Sequence, residues 1–191
     1  MKKLAQQIAF LFATALTCPL FIPVRIIGGD GLFCAFGQLL ALLPGKTGSY
    51  LRVAYYAKTL HRCSSKTFIG FGTFFSHRNA AVEEGVYIGA YCIVGMAKIG
   101  KHCTIGSHVS LLSGKRQHGF DQVGVPIQEQ GGIFEQVRVG ENCWIGERSV
   151  ILADLGRQCV VGAGSVVTKF FDDLSIVGGN PAKILGQVGG Q

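Results

Sequence analysis

Residues 88–110, IGAYCIVGMAKIGKHCTIGSHVS, place an aliphatic residue before a glycine four times, at Ile88, Val94, Ile99 and Ile105. The same unit returns further along the chain as VGENCW, IGERSV and VGAGSV, which begin at Val139, Ile145 and Val161. A period of six residues fits neither a helix, which repeats every ~3.6 residues, nor an alternating strand. It is typical of a parallel β-helix, in which three such sides make one triangular coil of about 18 residues.

Each unit assigns fixed roles to its positions. The first residue points inward and fills the core, and a glycine or another small residue follows where the chain turns a corner. The fifth position also points inward near a corner and must be small; it holds Thr73, Cys92, Cys103, Val109, Cys143, Ser149 and Ser165. With Cys159 included, four of the seven cysteines take this position, where a thiol packs as a small buried residue. A nucleophile, a metal ligand or a disulfide remains an alternative.

The repeat is interrupted in two ways. Its frame shifts by one residue between Phe75 and Val82, and Ile99 follows Val94 after five residues instead of six. Such slips are tolerable at the corners of a coil. A longer break, residues 112–136, is polar and rich in glycine, after which the frame resumes. We expect this segment to be an ejected loop, and such loops commonly carry function.

The first sixty residues have a different pattern. Residues 8–24 carry no charge, and Pro19 and Pro23 predict that a helix there kinks or ends. A second apolar stretch covers residues 31–43, which is too short to cross a membrane alone. A third helix is predicted over residues 49–60, with Ser49 as its cap and with Arg52 and Lys58 on its outward face.

Three interpretations of this region compete: a cleaved signal peptide, a pair of core helices covering the end of the solenoid, and a membrane anchor. Flanking cations favour the anchor, as a re-entrant hairpin or an interfacial pair, and place its flanks on the cytoplasmic side. They are Lys2, Lys3, Arg25, Lys46, Arg52, Lys58 and Arg62. The predicted division is therefore a hydrophobic, helical, membrane-associated segment at 1–62 and a β-helix domain at 63–191.

Composition narrows the class of partner. The chain of 191 residues has a formal charge of +7, a mean hydropathy of +0.36 and 28 glycines. Its Lys and Arg residues are scattered, without a basic run or a zinc-finger spacing, which argues against nucleic acid. A phosphate-bearing cofactor or an anionic membrane surface fits better. Seven cysteines without the spacing of a secreted scaffold favour a reducing compartment.

Three motifs resemble those of the hexapeptide-repeat acyltransferases: WIGERSVIL at 144–152, VVGAGSVVTK at 160–169 and VGGNPAKIL at 177–185. The family includes galactoside, maltose, serine and xenobiotic acetyltransferases and the sugar O-acetyltransferases of polysaccharide pathways. The resemblance covers roughly residues 66–187. It implies a mainly β protein, a left-handed parallel β-helix, which uses acetyl-CoA and forms a homotrimer with sites between subunits. The fold alone does not establish activity, because carbonic anhydrase-like proteins share it.

The resemblance also implies a set of site residues. His118, in the ejected loop, matches the family's general base, and histidine as a residue type suits removal of a hydroxyl proton near neutral pH. By position rather than by resemblance, Asp121 or a backbone carbonyl is expected to orient the ring, and His77 to line the acceptor pocket. The residues that match the acetyl-CoA site by motif are Ala163, Thr168 and Lys183. Lys169 offers a further charge to phosphate, and Trp144 is a candidate for stacking on the ligand. The alternative interpretations are a solvated loop histidine, solvated lysines, and a tryptophan that packs in the core or an interface.

We expect no metal site, because His102 and His108 occupy equivalent positions in adjacent units and so lie on different sides of the triangle. The expected function is O-acetylation of a sugar hydroxyl in an envelope polysaccharide or glycolipid precursor, at the cytoplasmic face of the inner membrane. One alternative is acetylation of an amino sugar, an antibiotic or serine. Another is a β-helix scaffold without activity.

Overall fold

The computed structural model describes residues 2–190, apart from the side chains of Lys2, Lys3 and Ala5. Three helices, α1 (Lys2–Ile27), α2 (Asp30–Ala41) and α3 (Gly45–Thr59), precede a β-solenoid of about six coils. The predicted fold, a left-handed parallel β-helix behind a hydrophobic helical segment, is confirmed. The strands are short because each forms only one side of a triangle.

The strands form three sheets, one for each side of the triangle. The first sheet contains β1 (Arg62–Cys63), β4 (Ala81–Val82), β7 (Ala97–Ile99) and β10 (Val137–Val139). The second contains β2 (Phe68–Ile69), β5 (Tyr87–Ile88), β8 (Thr104–Ile105), β11 (Trp144–Ile145), β13 (Val160–Val161), β15 (Ser175–Gly178) and β16 (Lys183–Gln187). The third contains β3 (Phe74–Phe75), β6 (Ile93–Val94), β9 (Ser110–Leu111), β12 (Val150–Ile151) and β14 (Val166–Val167). All pairings are parallel except that of β16 with β15.

The core is a set of vertical columns of aliphatic side chains. In the second sheet, Ile69, Ile88 and Ile105 are in register and completely buried, and the column continues through Ile145, Val161 and Val177. These residues occupy the first positions of the six-residue units, whose side chains therefore point inward as predicted. Burial of one such column in every sheet supplies the hydrophobic driving force of the solenoid.

Every slip of the frame falls at one corner, the turn from the third sheet to the first. Inward residues stay six apart along the other two turns, as from Ile99 to Ile105 to Leu111. At the variable turn the spacing is seven from Phe75 to Val82 and five from Val94 to Ile99. We call this turn the loop corner (residues 76–80, 95–96, 112–136, 152–154 and 168–170), because the ejected loop leaves the solenoid there.

The small residues of the fifth position do more than fill space. The Thr73 hydroxyl donates to the Gly89 carbonyl at 2.7 Å, and the Cys92 thiol donates to the Gly106 carbonyl at 3.1 Å. The same contact joins Cys103 to Gly140, Cys143 to Gly156, Ser149 to Gly162 and Cys159 to Asp172. Each side chain therefore satisfies a corner carbonyl of the next coil. All seven cysteines are free thiols, and these four are buried.

The helix does not end at the two prolines, because α1 continues through both to Ile27, and a kink at either of them stays a prediction. A proline deprives the carbonyl four residues earlier of its helical partner. Here those carbonyls belong to Ala15 and Pro19, which are both exposed residues, so neither carbonyl is shut into the core.

Two predictions about α3 are wrong. The helix begins at Gly45, and Ser49 is a buried residue whose hydroxyl accepts the N–H of Ile69 at 3.1 Å instead of capping the helix. Arg52, expected to face outward, is completely buried. Its guanidinium donates twice to the Ile69 carbonyl and also to the carbonyls of Leu40 and Leu43.

The open end of the first coil explains this placement. Its inner backbone groups have no preceding coil to pair with, and the helices supply the partners. The Tyr56 hydroxyl accepts the N–H of Phe75 at 3.2 Å, and the Tyr55 hydroxyl donates to the Phe33 carbonyl. The rings of Phe33, Tyr55 and Tyr56 pack together over the coil. α2 and α3 therefore form a cap on the solenoid.

Candidate active site

The ejected loop is a folded hairpin-like excursion from the loop corner on the third coil. Its two limbs run side by side, with N–H to carbonyl bonds from Glu135 to Ser113 at 2.9 Å and from Ile133 to Arg116 at 2.7 Å. At its tip, the Gln130 side-chain amide accepts the backbone N–H of Gln122 and donates to the Gln122 carbonyl. These bonds give the loop a definite shape, although most of its side chains are exposed.

His118 lies on the outgoing limb, two residues beyond the bond at Arg116, and its ring is exposed. Asp121 is also exposed, and within the described part of the chain no hydrogen bond joins it to His118. The imidazole is therefore accessible to an incoming substrate. The site assignment of both residues remains a prediction.

The returning limb of the loop packs down along the corner onto the first coil. The Phe134 ring lies 5.3 Å from that of His77, and the Gln136 side chain donates to the Asn79 carbonyl at 3.1 Å. His77 is half-buried, and its Nδ1 is 2.9 Å from the Ser76 hydroxyl. The structure thus brings His77 against the loop that carries His118, as an acceptor-binding role would require.

A shallow polar cavity of about 350 Å³ opens at the base of the loop. Lys115 and Glu135 line it from the two limbs, and Arg138 and Asp154 line it from the fourth coil and its corner. The Asp154 carboxylate accepts the backbone N–H of Arg138 at 2.8 Å. None of these four residues was predicted to belong to the site, although Lys115 is close to His118 in the chain.

Two of the predicted acetyl-CoA residues continue the loop corner toward the C-terminal end. Thr168 and Lys169 lie in its turn on the fifth coil, two coils beyond the loop. Lys169 is exposed, and its ammonium lies 5.6 Å from the centre of the Phe171 ring. This lysine is therefore available to an anionic ligand.

Two others lie at the opposite edge of the third sheet. Ala163 occupies the turn from the second sheet to the third, which we call the C-terminal corner (residues 70–72, 89–91, 106–108, 146–148, 162–164 and 178–180). Lys183 begins β16, after a turn with a cis Asn180–Pro181 bond. The N–H of Ala182 donates a hydrogen bond to the Val166 carbonyl, so this turn closes over the end of the third sheet.

The four residues thus form two groups on either side of the third sheet. Trp144 is apart from both, on the outer face of the second sheet, where it is 58% exposed between Thr104 and Val160. A ligand that crosses the third sheet near β14 would meet both groups but not this tryptophan of the same chain.

The remaining turn, from the first sheet to the second, carries more acidic than basic residues. We call it the charged corner (residues 64–66, 83–85, 100–102, 140–142, 156–158 and 172–174). Its successive coils present charges of alternating sign, from Lys66, Glu84, Lys101, Glu141, Arg157 and Asp173. Lys66 contacts Glu84 at 2.7 Å and Arg157 contacts Asp173 at 2.8 Å. These cations already have carboxylate partners, which makes this corner a poor place for phosphate.

The histidines of the adjacent units lie at different corners, His102 at the charged corner and His108 at the C-terminal corner, where its ring stacks on Tyr91. Among residues 2–190, no group of three His, Cys, Asp or Glu side chains is arranged to hold a metal ion.

The family model described as the hexapeptide repeat of succinyl-transferase matches residues 136–169. A protein named as a probable acetyltransferase of Mycobacterium tuberculosis is 40% identical over 70 residues, which are 36% of this chain and 23% of that protein. The chain spans less than half the length of the curated relatives it matches.

Solved structures resemble most of this chain. A maltose O-acetyltransferase from Clostridium difficile 630 aligns with a TM-score of 0.72 and 19% identity, over 83% of this chain and 86% of that one. A hexapeptide-repeat acetyltransferase from Vibrio cholerae, solved with acetyl coenzyme A, aligns with a TM-score of 0.67 and 18% identity, over 81% and 84% of the two chains. At these identities the likeness establishes the fold.

Proposed function

Because this chain belongs to the hexapeptide-repeat family, we propose that it is an acetyl-CoA-dependent O-acetyltransferase acting on a sugar hydroxyl. The observation that carries this proposal is the loop corner, where an exposed imidazole, a second histidine and a polar cavity share one edge of the solenoid. The maltose O-acetyltransferase named above, a structural neighbour, supports the acceptor class.

The proposed reaction uses His118 as general base. Its neutral imidazole removes the hydroxyl proton while the sugar oxygen attacks the thioester carbonyl carbon. The tetrahedral oxyanion is stabilised by a backbone N–H or a loop donor, and it collapses as the C–S bond breaks. The imidazolium then returns its proton to the departing CoA thiolate. Asp121, or a backbone carbonyl, holds the ring in the required tautomer.

Acetyl-CoA is proposed to cross the third sheet between its two edges. Ala163 and the turn before Lys183 would contact it at one edge, and Thr168 and Lys169 at the other, with the two lysines facing its phosphates. No acetyl-CoA step requires a metal in this scheme. Trp144 lies on another side, so its contribution would come from a neighbouring copy in a homotrimer.

We place the enzyme at a membrane surface, on the cytoplasmic face of the inner membrane, because acetyl-CoA is cytosolic and a lipid-linked acceptor would be held there. Helix α1 supports this location: residues Gln6–Ile27 are long and apolar enough to cross a bilayer. An envelope polysaccharide or glycolipid precursor is the acceptor that fits both features.

The test is release of free CoA thiol from acetyl-CoA with a panel of sugars, comparing the wild type with His118→Ala. We expect the variant to lose about 10²- to 10⁴-fold in rate, the usual contribution of a general base. His61→Ala is the matched control, because it removes an exposed histidine outside the loop. Full activity in His118→Ala would exclude this base.

The same assay separates the alternatives. Activity with an amino sugar, an antibiotic or serine, but not with sugar hydroxyls, would keep the base and replace the acceptor. A scaffold without activity predicts no thiol release with any acceptor and no effect of His118→Ala. The polar cavity beside the loop argues against the scaffold, since a purely structural solenoid has no need of one.

A further inference from the structure

The outer face of α1 is an unbroken apolar surface. Its exposed large side chains are Leu4, Ile8, Leu11, Phe12, Leu16, Ile22, Ile26 and Ile27. They extend along the whole helix, and no charged residue occurs between Lys3 and Arg25. Exposed apolar patches of this size mark a surface that meets another protein or a membrane.

The inner face of the same helix is fixed to the rest of the protein. Phe10, Ala13, Thr17, Leu20 and Val24 recur at intervals of three and four residues and face the protein, where Ala13, Thr17 and Val24 are buried. A single stripe of contacts therefore runs from near the start of α1 to its end.

Both ends of this stripe are attached to polar parts of the fold. Near its start, α1 shares a cleft of about 950 Å³ with the beginning of α3, lined by Phe10, Lys46 and Ser49 among others. Near its end, the Arg25 guanidinium donates to the Lys58 carbonyl at 3.1 Å, at the end of α3. The two helices are therefore parallel neighbours along all of α3.

These attachments decide how α1 can meet a bilayer. The 26 residues of the helix extend about 39 Å, enough to cross the ~30 Å hydrocarbon layer. Phe10 is about 12 Å from the start of the helix and about 26 Å from its end, so any crossing would place Phe10 inside that layer. Lys46, which lines the same cleft, and the adjoining edge of the first coil would follow Phe10 into hydrocarbon, which is strongly unfavourable for charged groups.

The charge distribution indicates which lipids the surface meets. Residues 1–62 contain seven Lys or Arg and one acidic residue, whereas residues 63–191 contain eleven and ten. Six of the seven net positive charges thus belong to the helical segment. Exposed Arg25, Lys46 and Lys58 lie beside α1, at positions suited to anionic headgroups.

We propose that the helical segment is a monotopic docking layer, in which α1 lies in the plane of an anionic bilayer with its outer face among the acyl chains. This deepens the membrane location given above and does not depend on the catalytic assignment. The protein is bound to one leaflet and no part of it crosses to the other side. The solenoid remains in the aqueous phase, held by its cap.

The first experiment is flotation of the full chain with vesicles of phosphatidylcholine alone or mixed with phosphatidylglycerol. We expect binding to the mixed vesicles that weakens with salt. Leu11→Asp, on the outer face, should weaken it at least tenfold, whereas Leu174→Asp, the same change at the charged corner, should not. Equal binding of the two variants, equal binding to both vesicles, or no binding to either would overturn the proposal. Unchanged melting temperatures confirm that both variants fold.

The second experiment separates lying in the plane from crossing. Spin labels are attached at Leu4→Cys, Phe12→Cys and Ile26→Cys after the three partly exposed native cysteines are replaced by serine, and their depth in mixed vesicles is measured. An in-plane helix gives the same shallow depth at all three positions. A label that is deep at residue 12 and shallow at both ends would establish a crossing helix and overturn the proposal. CoA release, measured separately with soluble acceptors, reports on the catalytic proposal alone.

Discussion

At the scale of single residues, the fifth-position side chains show how a solenoid satisfies its corners. Successive coils come so close that a Cβ on Gly89 would stand 2.7 Å from the Gly106 carbonyl carbon. A thiol or hydroxyl that donates to such a corner carbonyl must keep its proton. Burial raises the pKa of the Cys159 thiol to about 11, so it is a donor at neutral pH. Thr, Ser and Cys can therefore replace one another at this position because each is small and each donates a hydrogen bond.

This account predicts opposite outcomes for two changes at Cys143. Cys143→Ser retains a donor to the Gly156 carbonyl and should change the free energy of unfolding little. Cys143→Val keeps the bulk but removes the donor to that part-buried carbonyl, which should cost about 1–3 kcal/mol. Urea unfolding of both variants measures the difference. Equal stability of the valine variant and the wild type would show that the thiol only fills space.

At the scale of elements, the three corners of the triangle have separate tasks. The loop corner absorbs every irregularity of the repeat and carries the candidate base. The C-terminal corner holds the closing turn. At the charged corner, Lys66 and Arg157 have carboxylate partners. In the described part of the chain no carboxylate forms a salt bridge with Lys169 or Lys183, so both are available to an anionic cofactor.

We expect Lys169→Ala and Lys183→Ala each to raise the KM for acetyl-CoA about three- to tenfold, with little change in kcat, because a phosphate contact at the surface aids binding without entering the reaction. Lys101→Ala is the matched control from the charged corner and should leave KM unchanged. The KM values come from thiol-release assays at saturating acceptor. An equal effect of all three variants would point to a general loss of positive charge instead.

The charged corner also predicts an acid sensitivity. Hydrogen bonds from the Arg157 backbone and guanidinium lower the pKa of Asp173. A carboxyl whose pKa is lower in the folded state stabilises the fold above its unfolded pKa, near ~4, and loses that contribution as pH falls through the folded value.

The melting temperature of the wild type should therefore fall more between pH 7 and pH 3 than that of Asp173→Asn, which has no carboxylate to titrate. Asp172→Asn, one residue earlier and without such a partner, should follow the wild type. Parallel curves for wild type and Asp173→Asn would contradict this role.

At the scale of the whole molecule, the chain is divided into a basic helical layer and a nearly neutral solenoid. Coils stack at a spacing of about 4.8 Å, so the loop on the third coil stands about 10 Å beyond the first. A sugar carried on a lipid would project from the bilayer past the helical layer toward this loop. The proposed membrane docking would thereby raise the local concentration of such an acceptor.

This arrangement predicts that an alkyl glycoside in anionic vesicles is acetylated with a KM about tenfold lower than that of the same sugar free in solution. Leu11→Asp should remove this advantage without changing activity on the free sugar. Thiol release with both forms of acceptor measures it. Equal KM values for the two forms in the wild type would show that docking to the membrane does not help the enzyme to bind its acceptor.

The period-six pattern by itself determined the solenoid, its inward columns and its ejected loop, because a core position and a crowded corner are local requirements that recur in every coil. It also placed His118 in the loop. The helical segment has no such repeat, and its details were settled by what each residue packs against. Arg52 turned inward because the unpaired carbonyls of the first coil and of α2 needed a donor, which no helical periodicity encodes. Similarly, only the tertiary structure decided at which corner each candidate residue lies and that α1 packs along the whole of α3. Both depend on contacts between distant parts of the chain.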